Sequence, residues 1–243
     1  MKSLVKCALL VLLPATASAQ ERNAAQWADS VRVLIDRSFT AGDKTGLANA
    51  AALAERALRT VPDDGMLLFY QGLALFRQSS RGGDPAVLER AVSLFEKSLQ
   101  QKQLPEAMAL MASAYGGIIA SDAPRAQELG PRAAQLLNSA KAAGSANPRV
   151  WLIGGIRSYY TPEQWGGGLA AAEEHVRKAI KLFETDRPAA PLPSWGRAEA
   201  HAWLGSVLQA QGRRDDARVE YAKALELEPG FAWVRYTLLP GIK

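Results

Sequence analysis

Five prolines, Pro62, Pro105, Pro148, Pro193 and Pro229, each precede an apolar run of helical spacing, at intervals of 43, 43, 45 and 36 residues. Proline is tolerated in the first helical turn because its missing N–H would have no intrahelical acceptor there. Each of the five is therefore expected to mark a helix start. A recurring unit constrains the fold more tightly than composition does. One unit cannot bury its apolar face alone, so neighbours must stack on it. Small and bulky residues also recur in step: Gly72 with Ala91 and Phe95, Met111-Ala112 with Ala133 and Leu137, and Gly154-Gly155 with Ala172 and Val176. Small residues at such places permit two helices to cross closely, and the bulky partner fills the space beside the crossing.

The last full unit is the clearest. Over residues 198–229, Leu204-Gly205, Leu208, Ala217, Tyr221, Ala224 and Pro229 fall at one register. That register resembles the tetratricopeptide repeat (TPR). His201 departs from it, since the family places tryptophan or another large apolar residue there. Ala50, Ala54, Ala57 and Pro62 repeat the spacing of its second helix. The resemblance implies an all-α solenoid of about five helical hairpins with a capping helix near Phe231–Leu239. The units are expected at about 22–62, 63–104, 105–147, 148–193 and 194–230, with the cap over 231–243, all one domain from residue 20 onward.

Three units exceed the usual repeat length, and the excess falls between their two helices: 78–85, 116–131 and 161–168. Insertions at equivalent points of a solenoid emerge on one edge, which is often the binding one. A separate stretch, TDRPAAPLP (185–193), is expected to be stiff and non-helical between units four and five. The glycines of SYYTPEQWGGGLAA (158–171) read as a turn before a helix over 169–183. A phosphate-cradling loop requires GxxxxGK[ST] after a strand. Here no Lys, Ser or Thr follows the glycines, and Glu173 and Glu174 occupy the helix's positive end. Trp165 is expected to fold back over its hairpin, or else to form part of a binding rim with Arg81.

At the N-terminus, Lys2 and Lys6 precede the apolar run 7–13, Pro14 and Ala17-Ser18-Ala19. That is the pattern of a secretory signal peptide over residues 1–19, cleaved after Ala19. A periplasmic or secreted protein is the expectation. Its loss would remove Cys7, the single cysteine, and with it any disulfide or thiolate chemistry. It would also lower the formal charge from +5 to about +3, with basic and acidic residues interspersed. No dense basic run suits a nucleic-acid backbone, and no later segment is apolar enough for a membrane span.

The residue pattern holds no recognisable catalytic constellation. His175 has no HExxH partner, Ser206 is not in a G-x-S-x-G elbow, and both His175 and His201 read as packing residues. Asp84, Asp122, Asp215 and Asp216 read as helix-start residues. The expectation is a non-catalytic chain with no cofactor or metal.

The TPR register implies a concave groove. In unit two its positions are Met66, Phe69, Leu73, Phe76 and Arg77; in unit four they are Arg149, Leu152, Ile156, Tyr159 and Tyr160. Such a groove suits a protein or peptide partner, or an apolar small molecule, with the arginines available to a carboxylate. The alternative is that the inserted segments pack into the groove and turn these residues into core. Three functions compete. A peptide-binding scaffold leads, and an open groove ridged with aromatics would favour it. A solute-binding accessory, similar to the exported TPR partners of TRAP-type uptake systems, would need a closed apolar tunnel. A cell-envelope enzyme would need converging carboxylates or a buried histidine–acid pair.

Overall fold

The computed structural model describes residues 15–79 and 84–242, with side chains from residue 24 onward. Lys2, Lys6, Cys7 and Arg81 lie outside the described residues, as does most of the expected leader. The described residues form ten α-helices: α1 (Ala15–Ala41), α2 (Lys44–Thr60), α3 (Gly65–Ser79), α4 (Pro85–Gln101), α5 (Pro105–Ser121), α6 (Ala126–Ala143), α7 (Pro148–Tyr160), α8 (Leu169–Phe183), α9 (Arg197–Ala210) and α10 (Arg214–Leu227). A wide π-helical turn over Val234–Leu238 follows. Consecutive helices pair as antiparallel hairpins, and each odd-numbered helix from α3 to α9 also packs against the odd-numbered helix before it. The chain is an all-α solenoid.

The seams expected from sequence hold the hairpins together. A Cβ on Gly72 would lie 2.8 Å from the Phe95 ring, one on Gly155 2.4 Å from Val176 Cγ2, and one on Gly205 2.3 Å from the Tyr221 ring. No real side chain fits such gaps, so glycine sets how closely these helices approach. Ala112, Ala133 and Leu137 form the matching seam of unit three and are buried.

Helix starts follow local chemistry. Asp84 accepts the Ala86 N–H at 2.8 Å and Asn147 accepts the Arg149 N–H at 3.0 Å, each just ahead of a first-turn proline. Pro105 and Pro148 begin α5 and α7, but Pro62, Pro193 and Pro229 do not begin helices. They lie in the connections ahead of α3, α9 and the final turn. Asp122 makes no side-chain cap, and neither Asp215 nor Asp216 occupies the cap of α10, where Arg213 stands. The two aspartates sit instead in the first turn, paired with Arg218 and Arg213. Unit three shows a further difference. Its extra residues 116–131 do not loop out. They extend α5 to Ser121 and start α6 at Ala126, with Pro131 inside the helix.

The array curls until its ends meet. Phe39, near the end of α1, packs on Phe231 with ring centroids 6.1 Å apart. The connection between α8 and α9 crosses the inner face of that curl.

Candidate functional site

The inner face of units two to four is closed by the chain's own α8–α9 connection. Arg149 makes a bidentate pair with Asp186, at 2.6 and 3.3 Å. Tyr70 Oη donates to the Pro191 carbonyl at 2.5 Å, and Arg32 Nη1 donates to Ser194 Oγ at 2.6 Å. Trp195 is buried beneath Arg77, whose guanidinium lies 4.8 Å from its ring and 3.6 Å from the Phe39 ring. Arg77 also pairs with Glu199 of α9 at 3.1 Å. Burial pushes the Asp36 carboxyl up, against the pull of Arg77, Arg32 and Arg149. Burial likewise drives the Tyr70 phenol well above its ordinary range. Buried ion pairs of this kind hold one arrangement because removing either partner strands the other.

Met66, Phe69, Leu73, Arg77, Arg149 and Leu152 are accordingly buried; Phe76, Ile156 and Tyr159 are half-buried; Tyr160 is exposed. Among the described residues, the segment crossing the groove is the proline-rich connection, while 161–168 form the glycine turn and 116–131 lengthen helices.

The glycine turn uses its amides internally. Gly166 N–H donates to Glu163 O, Gly167 N–H to Pro162 O, and Gly168 N–H to Thr161 and Ser158 O. Gly166 and Gly168 have φ of 77° and 94°, which side-chain-bearing residues rarely adopt. Trp165 does not fold back over its hairpin. It is 75% exposed, because the short turn over Glu163–Trp165 aims it outward.

Each histidine finds polar partners. His201 Nδ1 lies 2.7 Å from Glu220 Oε2, beside a cavity of about 330 Å³ between α8, α9 and α10. Burial pushes the Glu220 carboxyl up, but hydrogen bonds from His201 and Lys223 outweigh it and hold the group below the ordinary Glu range. The cavity wall is made of Arg, Lys, Glu, Ile and Leu side chains around the pair, so no hydroxyl or thiol stands ready as a nucleophile. His175 bridges Lys141 and Ser158, with Nε2 3.0 Å from Lys141 Nζ and Nδ1 3.2 Å from Ser158 Oγ.

A run of aromatic rings starts where the sealed face ends. Tyr160 and Tyr159 at the end of α7 meet edge to face at 5.0 Å, and both contact Trp203 of α9, at 5.9 and 5.8 Å. Trp203 meets Trp233 at 5.1 Å, Trp233 meets Phe231 at 6.2 Å, and Phe231 meets Phe39. The run therefore leads from exposed Tyr160 into the sealed seam at Phe39 and Arg77. Trp203 and Trp233 are half-buried, and Tyr236 beyond them is 74% exposed. Edge-to-face stacking fixes such rings while leaving faces available. The groove register named Tyr159 and Tyr160 but not Trp203, Trp233 or Tyr236. A signal was present: five of the six tryptophans lie beyond residue 150.

Comparison with known proteins agrees with this architecture. Residues 198–231 match the sequence model of the tetratricopeptide repeat. No curated protein matches the chain. Among solved structures, a thermophilic TPR protein from Thermus thermophilus is similar, with 20% identity over 89% of this chain and 97% of that one, at a TM-score of 0.64. The HusA haemophore from Porphyromonas gingivalis is similar with 25% identity over 81% of this chain and 94% of that one, at a TM-score of 0.59. The Cut9–Hcn1 hetero-tetramer of APC/C contains a chain with 15% identity over 90% of this chain and 40% of that one, at a TM-score of 0.56. The last unit thus carries the tetratricopeptide repeat in its sequence, and the hairpins before it stack in the same solenoid fold.

Proposed function

We propose that this protein is a non-catalytic scaffold that holds a protein or peptide partner outside the cytoplasm, on the aromatic run between α7, α9 and the C-terminal turn. One observation carries the location: aromatic faces reach solvent at Tyr160, whereas Phe69, Leu73, Arg77, Arg149 and Leu152 of the register are buried. Tyrosine and tryptophan supply large contact areas at low entropic cost, and such residues dominate binding hot spots. The leader-like start of the sequence supports export. The test is a peptide-display selection against the intact protein, repeated with Tyr160→Ala and Trp203→Ala. Binders that depend on both residues support the proposal. Binders indifferent to both overturn the location. Export is tested separately by fusing residues 1–30 to a phosphatase that is active only outside the cytoplasm.

A second reading has its own observation. The HusA neighbour is described as a haemophore, and stacked aromatic rings suit a planar apolar ligand as well as a peptide. Titration with haem, followed by tryptophan quenching, decides it. Saturable quenching lost in Trp203→Ala would place a small planar ligand on the run in place of a peptide. His201 and Glu220 form a half-buried histidine–acid pair of the kind an enzyme would need, yet Glu220 is braced on its other oxygen by Lys223 at 2.8 Å and no nucleophile lines the cavity beside the pair. We therefore assign it to packing between α9 and α10.

A further inference from the structure

The geometry points to Lys141 as an amine that captures aldehydes: we propose that Lys141, with His175 as its proton carrier, is a site of reversible imine formation with small carbonyl compounds. It stands apart from the aromatic run and uses neither of its tyrosines. Lys141 lies on α6 facing α7 and α8, and its Nζ is 3.0 Å from His175 Nε2. The other imidazole nitrogen faces Ser158 Oγ at 3.2 Å. As an ammonium Lys141 only donates, so Nε2 accepts from it and the ring proton sits on Nδ1, on the side of Ser158 Oγ and the Gly154 backbone. The aliphatic arm is held as well: Lys141 Cε sits against Gly154, where a Cβ would come within 3.3 Å, and Nζ lies 5.1 Å from the Trp151 ring centroid.

The surroundings weaken the charged form of this amine. Its partner is a neutral imidazole, whereas Lys223 has the Glu220 carboxylate. On the opposite helix, Lys178 stands over Trp151 at 3.3 Å. Burial lowers the Lys141 amine below the ordinary lysine range, with Lys178 adding to it and Glu174 opposing. Burial, then Lys141, lowers His175 too, which keeps the imidazole neutral. A neutral amine is the nucleophile that carbonyl chemistry needs. Lys178 adds attraction for an aldehyde carrying a negative group.

The step balances without another reagent. The Lys141 nitrogen adds to the carbonyl carbon, and the C=O bond becomes a C–O single bond. His175 Nε2 carries the two amine protons in turn from nitrogen to that oxygen. The oxygen leaves as water while C=N forms, and hydrolysis reverses the sequence.

The test uses the intact protein with pyridoxal 5′-phosphate as the probe, borohydride reduction at neutral pH, proteolysis and mass spectrometry. Lys141 is expected to carry several-fold more reduced adduct than the exposed Lys44, Lys97, Lys102 or Lys181. His175→Gln, with its fold checked by circular dichroism, is expected to cut the Lys141 adduct about tenfold, the usual order for loss of one acid–base group being at least that. Adduct spread over the lysines in proportion to exposure would overturn the site. An unchanged Lys141 yield in folded His175→Gln would overturn the proton carrier.

Discussion

Arg77 and Tyr160 occupy matching places in the repeat register, at the last groove position on the first helices of units two and four. One is buried against the α8–α9 connection and the other is 70% exposed. The difference lies outside the repeats. The connection 185–195 covers the inner face from α3 to the start of α7, and it turns into α9 before reaching the end of α7. The first region is therefore core, built of buried rings and ion pairs. The second is surface, built of rings that touch edge to face. A solenoid's concave side is defined by its repeats, but whether it is open is decided by what the connections lay across it.

That contrast can be broken by substitution. Phe69→Ala removes a fully buried ring and should cost ~3–5 kcal/mol, read as a lower denaturant midpoint. A change near zero would mean that the inner face is open. Arg149→Ala strands Asp186, which is 19% exposed at its side chain, so the loss should sit near the low end for a buried pair, ~3 kcal/mol. Faster amide exchange across 185–195 should accompany it. Gly205→Val overpacks the Tyr221 seam beneath both regions and should destabilise by ~1–3 kcal/mol; an unchanged melting temperature would contradict the register. Tyr70→Phe removes only the hydroxyl that holds the Pro191 carbonyl, for ~1 kcal/mol. Tyr160→Ala should leave stability within ~0.5 kcal/mol while abolishing partner or ligand binding on the run. A large loss of stability there would make it core after all.

The hairpins were legible because their determinants are local. Gly72 with Phe95, Gly155 with Val176 and Gly205 with Tyr221 are separated by short stretches of chain, and a missing Cβ at each is a requirement visible in the residues themselves. The α8 helix over Leu169–Phe183 followed in the same way from the glycines before it and the apolar spacing within it. Curvature was not legible. Three of the contacts that close the inner face join Arg32 to Ser194, Tyr70 to Pro191 and Arg77 to Glu199, across more than a hundred residues each. No periodicity encodes such pairs. The prolines of 185–193 announced a stiff, irregular segment, but stiffness does not say where a segment lies. Trp165 was misplaced for a related reason: its direction depends on the turn at Gly166, not on its own apolar character. Trp203 lies just before Leu204-Gly205, the helix-crossing pair of the last unit, so the register alone did not assign it to the binding face.

The six tyrosines provide a direct test of a sealed inner face beside an open aromatic run. Mild tyrosine nitration of the folded protein, mapped by mass spectrometry, should modify Tyr160 and Tyr236 quickly and leave Tyr70 and Tyr221 untouched. Nitration of Tyr70 at the rate of Tyr160 would show that the connection does not cover the groove.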